Sequence, residues 1–443
     1  MSDERSTPPA DTATASLNSK EFYLLLLFVA IVGVVGALLF IVFFAIQEFF
    51  TALLWNGIAI SSLSPVFNPL IMVISVLGGI LVGVIRAWCK GDIAIMAEDL
   101  IEFSEKGRFA LKRGVELFLR GMVSLVCGAP LGPEAPLTVA TGAAGTVIAE
   151  KARLPPEGVA LSTLAGVSGF FGAFLSSPFA GSLIFIETTL EKGTMTWRAV
   201  LPSIVAATTG FAASFLLSSK FLGGAFVFPA DEGFKDIYLL YAVLLGVIGA
   251  AFGIFFIVVY KKMRRIFEPL EDRPVILGLI GGIGIGITGI FLPLTLFMGN
   301  SQLQFLVDNY LEVSLLLLFI LAVAKILLIT FSFSTGFAGG YIFPGFFIGG
   351  TVGILVYRLL PFIPLAVCVV CVIAAVSVSL LRSPIALAFI IGIFFQTNFI
   401  PAVAVSLVIA FAVSYRFSLP YTRKGTGKED DTTIGDTVPV QKM

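Results

Sequence analysis

Long uncharged stretches recur along the chain and alternate with short connections that carry charged residues. Clear examples lie at 22–47, 237–260 and 326–357. Because about 20 apolar residues cross the hydrocarbon core of a bilayer once as a helix, these stretches predict membrane spans. Several others are interrupted by Gly and Pro or have lengths that do not fit one crossing. The pattern therefore predicts an all-α polytopic membrane protein with more than a dozen tilted helices, some of which cross only part of the bilayer.

The two ends of the chain lack this pattern. Residues 1–19 are polar and rich in Ser, Thr, Pro and Asp, and residues 422–443 are polar and rich in Thr and charged residues, a composition that is typical of disordered tails. We expect a single transmembrane domain at 20–421 between two such tails.

A spaced set of Gly and Pro residues occurs twice, with 208 positions between the two copies. Its members are Gly128, Gly132, Pro136 and Gly142 in the first copy and Gly336, Gly340, Pro344 and Gly350 in the second. A further pair of similar segments, 177–180 and 383–386, begins with Ser-Pro in both copies. The chain thus divides into two repeats at about 20–219 and about 236–421.

Basic residues orient the predicted spans. The connection 86–113 and the cluster 261–265 are rich in Lys and Arg, whereas the connection 48–66 contains neither. Since short cytoplasmic loops carry an excess of positive charge, the first span should run outwards and the equivalent span at 237–260 inwards. Equivalent spans in opposite directions predict inverted-topology repeats, an arrangement that is typical of transporters and places the substrate site near mid-membrane. Both termini are then cytoplasmic, and we expect a multi-pass protein of the cell membrane.

Composition narrows the classes of function. Of the 443 residues, 58% are apolar and 13% charged, the mean hydropathy is +1.02 and the formal net charge is zero. A lipid bilayer is therefore the expected surrounding, and no basic surface suggests a nucleic-acid partner. Histidine is absent, which removes the commonest general base and metal ligand. We expect neither an enzyme nor a bound metal or cofactor.

The repeated element has the form G-x-x-x-G-x-x-x-P and occupies 128–136 and 336–344. Glycine lets the backbone leave a helix and come close to a ligand, and proline suits the first turn of a new helix. Each copy thus predicts a break followed by a helix N-terminus at membrane depth, with free N–H groups and the positive dipole end facing a cavity. Two such ends without a full positive charge suit a small anion that must bind and leave again.

Glu134 stands inside the first copy, and its nearest charged neighbours along the chain are Arg120 and Glu150. An isolated ionisable residue in a membrane segment is usually functional. Beside an anion site its carboxylate can occupy the position of the anion as a gate, and its protonated form can swing away and carry a proton.

These segments resemble the motifs of the CLC family of chloride channels and chloride/proton exchangers. The stretch 128–136 is similar to the gating-glutamate motif of the family, G-[KR]-E-G-P, and 340–344 is similar to its second anion motif, G-x-F-x-P. Residues 177–187 resemble the segment that leads to the inner proton glutamate, and 419–421 resemble the segment that supplies an anion-coordinating tyrosine. The resemblance implies tilted helices in two inverted halves, one pore per subunit and a homodimer. We expect a divergent prokaryotic-type member, because no C-terminal CBS pair follows the transmembrane domain in this sequence.

The same resemblance assigns roles to single residues. It implies that Glu134 is the gate, that backbone amides around Ala135, Tyr341 and Ile342 bind the anion, and that the hydroxyl of Tyr421 contributes. The sequence departs from these motifs at three positions. In the first motif, Pro133 replaces the Lys or Arg before the glutamate and Ala135 replaces the Gly after it; in the second motif, Ile342 replaces the Phe.

Two further departures concern the inner end of the pathway. The G-S-G-I-P motif of the family falls at 90–94, where Gly91 is the matching anion-binding position and Asp92 stands without a serine hydroxyl nearby. The inner proton glutamate aligns with Thr188, directly after Glu187. Either Glu187 substitutes for it, or Thr188 passes protons through water.

The sequence therefore predicts transport of chloride or a similar small anion, as a gated channel or as a chloride/proton antiporter, with protons as a second partner in the latter case. The alternative is a cation- or proton-coupled carrier of small solutes. That carrier would need several acidic residues at membrane depth, and only Glu134 is clearly placed there. An intramembrane enzyme would need paired Asp residues or a Ser–Lys dyad, and the sequence shows neither in a clear form.

Overall fold

The computed structural model describes residues 20–419 except 93–98, 100–102, 104–105, 191–198, 219–225, 227–232, 396–397 and 418. This part of the chain contains fifteen α-helices. In chain order they are α1 Lys20–Leu54, α2 Pro69–Cys89, α3 Leu111–Val126, α4 Glu134–Lys151, α5 Pro156–Phe174, α6 Pro178–Leu190, α7 Val200–Ser218, α8 Ile237–Phe267, α9 Pro274–Phe291, α10 Asn300–Asp308, α11 Leu315–Ser334, α12 Ile342–Leu359, α13 Leu365–Leu381, α14 Pro384–Phe395 and α15 Ile400–Ser414.

The helices differ widely in length. By length and composition, eight helices of the described residues can cross a membrane, namely α1, α2, α5, α7, α8, α9, α11 and α12. In contrast, α6 has 13 residues and α14 has 12, and a rise of about 1.5 Å per residue gives each well under the thickness of the hydrocarbon core. The prediction of more than a dozen helices, some only partly spanning, is confirmed.

Short polar residues and proline fix several helix starts. Asn68 precedes α2 and its side chain accepts a hydrogen bond from Leu70 N at 3.0 Å. Pro69 then takes the first helical position, where a missing N–H costs no helical hydrogen bond. Ser314 caps α11 in the same way, through Leu317 N at 3.2 Å. These caps keep the helix ends satisfied near the faces of the protein.

The two halves contain equivalent helices in the same order. The first half, α1 to α7, corresponds to α8, α9, α11, α12, α13, α14 and α15 of the second half. Contacts repeat as well, since α1 packs against α5 and α7 just as α8 packs against α13 and α15. The predicted architecture of two inverted repeats is confirmed.

Equivalent elements meet each other where the halves join. Helix α2 packs against α9, and α6 packs against α14, so each contact joins an element to its own counterpart. Such pairs lie on a pseudo-two-fold axis. The first pair is very close, because a Cβ on Gly79 would overlap the carbonyl oxygen of Gly278 and a Cβ on Gly278 would overlap that of Gly79. Only glycine at both positions permits this approach.

Helix α13 forms the centre of the second half. All of its residues, including Cys368 and Cys371, are buried, as expected for a helix that is apolar on every side. It packs against α8, α12 and α15. Its neighbour α12 carries one side of the candidate site.

Candidate anion site

Both Gly-Pro elements are helix breaks. The first covers 127–133, between α3 and α4, and the second covers 335–341, between α11 and α12. Gly128 and Gly336, at equivalent positions, have φ values of 87° and 90°. This left-handed conformation favours glycine, which explains why the repeat retains Gly at the start of each break.

The two breaks pair with each other through their backbones. Gly132 N donates to Gly340 O at 2.9 Å, and Gly340 N donates to Gly132 O at 2.6 Å, which makes an antiparallel bridge. A Cβ on either glycine would overlap the carboxylate of Glu134. The N-termini of α4 and α12 therefore converge on one point from opposite halves, as the 208-residue offset predicts.

The carboxylate of Glu134 occupies this point. The residue is completely buried, and its Oε1 accepts a hydrogen bond from Phe343 N at 3.2 Å. The amide of Ile342 also faces the carboxylate, while Oε2 accepts no hydrogen bond from the described residues. Among the described residues, no Lys or Arg forms an ion pair with Glu134. The positive field around this carboxylate thus comes from backbone amides and helix dipoles.

Three of the predicted anion-binding residues surround the carboxylate. Ala135 follows Glu134 in the first turn of α4, Tyr341 precedes α12 and Ile342 begins it; each is at most 3% exposed. The hydrogen bond to Oε1, however, comes from Phe343, which the motif comparison did not single out. The signal was available, because every amide in the first turn of a helix lacks a partner within that helix.

Aromatic rings from both halves surround this point. The ring of Phe343 packs against Phe174 of α5 and Phe394 of α14, with centroid distances of 5.0 and 5.2 Å. Phe174 and Phe394 are fully buried. An apolar surrounding of this kind strengthens the electrostatic interactions of the buried carboxylate.

Gly91 and Asp92, which align with the G-S-G-I-P motif of the family, lie among charged side chains. Gly91 O accepts from Arg86 Nε at 3.1 Å, and Asp92 O accepts from both Nη1 and Nη2 of Arg120 at 3.1 Å. Gly91 N donates to Arg86 O at 3.0 Å, so the end of α2 uses this amide. A Cβ on Gly91 would overlap the carboxylate of Glu116. Although carboxylates gather here, no group of three or more His, Cys, Asp or Glu in the described residues could hold a metal ion.

Glu187 reaches from α6 in the first half to the start of α14 in the second. Its Oε1 accepts from Ile385 N at 3.1 Å and its Oε2 accepts from Ala386 N at 3.0 Å. The carboxylate thereby caps a helix N-terminus, a favourable position for a negative charge. Thr188 is the next residue of α6, with a side chain outside the described part, and Tyr421 lies outside the described residues altogether.

Comparisons with known proteins agree on one family. A family model described as voltage gated chloride channel matches residues 78–415. The ion-transport protein YfeO of Escherichia coli O17:K52:H18 is 28% identical over 362 residues, which cover 79% of this chain and 83% of YfeO. YfeO of Salmonella paratyphi A is 28% identical over 392 residues, which cover 86% and 92%.

Two solved structures have the same arrangement of helices. A CLC-type fluoride/proton antiporter matches with a TM-score of 0.75 and 19% identity, over 90% of this chain and 97% of the other. A slow cyanobacterial Cl⁻/H⁺ antiporter matches with a TM-score of 0.74 and 17% identity, over 88% and 94%. At these identities, the likeness concerns the fold.

Proposed function

Because this chain belongs to the voltage gated chloride channel family, we propose that it moves chloride or a similar small anion across a membrane, with Glu134 as the gate. One observation carries the proposal: the carboxylate of Glu134 lies between two helix N-termini and accepts the Phe343 amide at 3.2 Å. A carboxylate oxygen and a halide ion bind the same donors. The side chain therefore takes the place of a transported anion and blocks the pathway.

Protonation of Glu134 would open this gate. A hydrogen bond to an ionised acceptor is roughly twice as strong as one to a neutral acceptor, so the neutral carboxyl gives way more easily to an anion. Backbone amides then bind the anion without a full positive charge nearby, which keeps the binding weak enough for release.

We propose that the transport is coupled to protons, because Glu134 can bind and release a proton in each gating cycle. The two solved antiporters that share the fold support this choice over a channel. Both oxygens of Glu187 already accept amides of α14, so we assign Glu187 to holding that helix. The proton would then reach Glu134 by water beside Thr188.

The assembly we propose is a homodimer in the cell membrane with both termini cytoplasmic. The Lys and Arg residues of 86–113 and 261–265 support this orientation. The adjacent helices α6 and α14 carry exposed apolar side chains near the pseudo-two-fold axis, among them Phe179, Ile385 and Phe389 at 53%, 57% and 44% exposure. A second copy of the chain would cover them.

Chloride efflux from proteoliposomes tests the proposed function. Vesicles loaded with chloride and containing the purified chain should release chloride faster than protein-free vesicles, and an outward chloride gradient should drive proton uptake. A cation- or proton-coupled solute carrier would release no chloride under these conditions. Chloride release without proton movement would retain anion transport and reject the coupling.

A further inference from the structure

Arg86 has a buried donor that finds no partner in the described part of the chain. The residue lies near the end of α2 and is 4% exposed. Its Nε donates to Gly91 O at 3.1 Å and its Nη2 donates to Glu271 O at 3.2 Å, whereas Nη1 is buried and has no hydrogen-bond partner among the residues that the structure describes. Because a guanidinium is planar and rigid, the first two bonds fix the direction of Nη1. A buried, charged donor that lacks a partner is costly, which points to a bound ligand.

Space for that ligand lies beside the second helix break. A Cβ on Gly336 would lie 3.6 Å from Nη1 and 3.5 Å from Cδ of Arg86, and apart from the adjoining residues no other heavy atom of the described part of the chain lies within 4 Å of it. These are ordinary van der Waals distances. The face of Gly336 towards the guanidinium is therefore open, because no other described side chain fills it.

The carboxylates that act on Arg86 are those of Glu271, Asp92 and Glu116, and among the described residues none of them accepts a hydrogen bond from Nη1. Glu116, beside Gly91, already pairs with two other arginines at 2.7 and 3.1 Å. Glu271 lies 3.6 Å from Nη2 of Arg86 and 3.8 Å from Arg264, with a side chain that is 35% exposed. Ion pairs with partly exposed partners are weak, so the pair with Glu271 contributes little.

We propose that Arg86 binds a small anion, chloride or another halide, through Nη1 in the space beside Gly336. This inference rests on the proposed anion transport and adds a second binding position to the gate. The break 335–341 connects Gly336 to α12, whose amide at Phe343 holds Glu134, and the chain between these two residues spans about 25 Å at most. An arginine would thus provide the inner anion donor where the sequence offers no serine hydroxyl.

Bromide tests the site in the unmodified protein, because it replaces chloride chemically and scatters anomalously. Crystals of the full chain grown in bromide should show an anomalous peak between Arg86 Nη1 and Gly336, and the peak should vanish in Arg86→Gln. A wild-type crystal with bromide elsewhere on the pathway, and none beside Gly336, would overturn the inference and leave the proposed function intact.

Chloride flux gives a second measurement. In Arg86→Gln, the chloride concentration for half-maximal flux should rise about tenfold, because a charge-assisted hydrogen bond is lost; Arg86→Lys, which keeps the charge, should raise it less. Arg264→Gln removes the neighbouring cation at Glu271 and serves as the matched control, with an unchanged half-maximal concentration. If Arg86→Gln lowers flux equally at all chloride concentrations, Arg86 only supports the fold and the inference is wrong. Absence of flux in the wild type would instead contradict the proposed function.

Discussion

At the scale of single residues, the candidate gate is a carboxylate that has amide partners and no cation. Pro133 stands where the related motif has Lys or Arg, and the described residues offer Glu134 no ion pair in compensation. Control of the gate therefore depends on the charge of Glu134 itself and on backbone amides.

We expect Glu134→Gln to abolish the pH dependence of anion flux. In the wild type, flux should rise as the pH falls, because protonation removes the charge that holds the side chain at Phe343 N. The amide of Gln carries no charge at any pH, so flux at neutral pH should rise roughly tenfold, towards the acid value of the wild type. Efflux from proteoliposomes between pH 5 and 8 would measure this.

Glu157→Gln provides the control for this experiment. Glu157 is exposed in the first turn of α5, so its variant should keep the wild-type pH profile. A Glu134→Gln protein whose flux still varies with pH like the wild type would show that another residue is the gate.

Sequence reasoning reached Glu134 because isolation along the chain and the glycine pattern are local features. The sequence could not predict hydrogen-bond partners that come from distant segments of the chain. Arg86 meets Glu271 O across 185 residues, and Glu187 meets Ile385 N across 198; no periodicity or motif encodes such contacts. For the same reason, Gly91 was assigned as an anion donor from its motif position alone, although its amide is used by the end of α2.

At the scale of elements, α6 and α14 begin alike in sequence but are capped differently. Ser177 Oγ accepts Ala180 N at 3.1 Å at the start of α6. The equivalent Ser383 Oγ donates to Leu381 O at 3.4 Å, and the cap of α14 comes from Glu187 in the other half. The repeated Ser-Pro pair stands at both helix starts, whereas the cap from the other half is visible only in the three-dimensional contact.

Variants of Glu187 distinguish a capping role from proton transfer. If the carboxylate only caps α14, Glu187→Gln should leave the ratio of protons to chloride unchanged. Glu187→Ala removes both hydrogen bonds and should lower the stability by about 1 kcal/mol. Proton uptake and chloride efflux from the same vesicles give the ratio, and thermal unfolding in detergent gives the stability.

The opposite pattern would identify Glu187 as a proton carrier. In that case Glu187→Gln would abolish proton uptake while chloride efflux continued, and the assignment of the proton route to the water beside Thr188 would be wrong.

The crossing of α2 and α9 makes a separate prediction about packing. Gly79→Ala places a methyl group against the carbonyl oxygen of Gly278, and two backbones cannot move apart as cheaply as side chains. We expect a loss of about 1–3 kcal/mol, seen as a lower unfolding temperature. Gly345→Ala is the matched control, because its Cβ would meet only Leu380 Cδ1, at 3.7 Å. Equal unfolding temperatures for the two variants would contradict the close crossing.

At the scale of the whole molecule, the two-repeat architecture was predictable because Gly and Pro impose helix breaks wherever they cluster. The contacts between the halves were not, since either face of a helix such as α2 could have met its counterpart. The structure shows that three pairs of equivalents meet: α2 with α9, α6 with α14, and Gly132 with Gly340. These contacts between the halves thus lie along the pseudo-two-fold axis that relates the two repeats.

We expect the purified chain to be a dimer, because the apolar side chains of α6 and α14 near this axis remain exposed in one subunit. Light scattering in detergent should give a protein mass twice the 47.2 kDa of one chain. Replacing Phe179 and Phe389, whose rings lie 6.0 Å apart, by Asn should shift the mass towards that of one chain. A wild-type protein that is monomeric at all concentrations would reject the dimer.

The bridge between Gly132 and Gly340 also has a consequence for biosynthesis. Phe343, which holds Glu134, follows it by 209 positions in the chain, and ribosomes add about 5–20 residues per second. For roughly 10–40 seconds, each nascent chain must keep a buried glutamate in the membrane before its amide partner has been made. The gate is therefore completed only after residue 343 has been made, and a chain interrupted before that residue contains the gating carboxylate without the site that it closes.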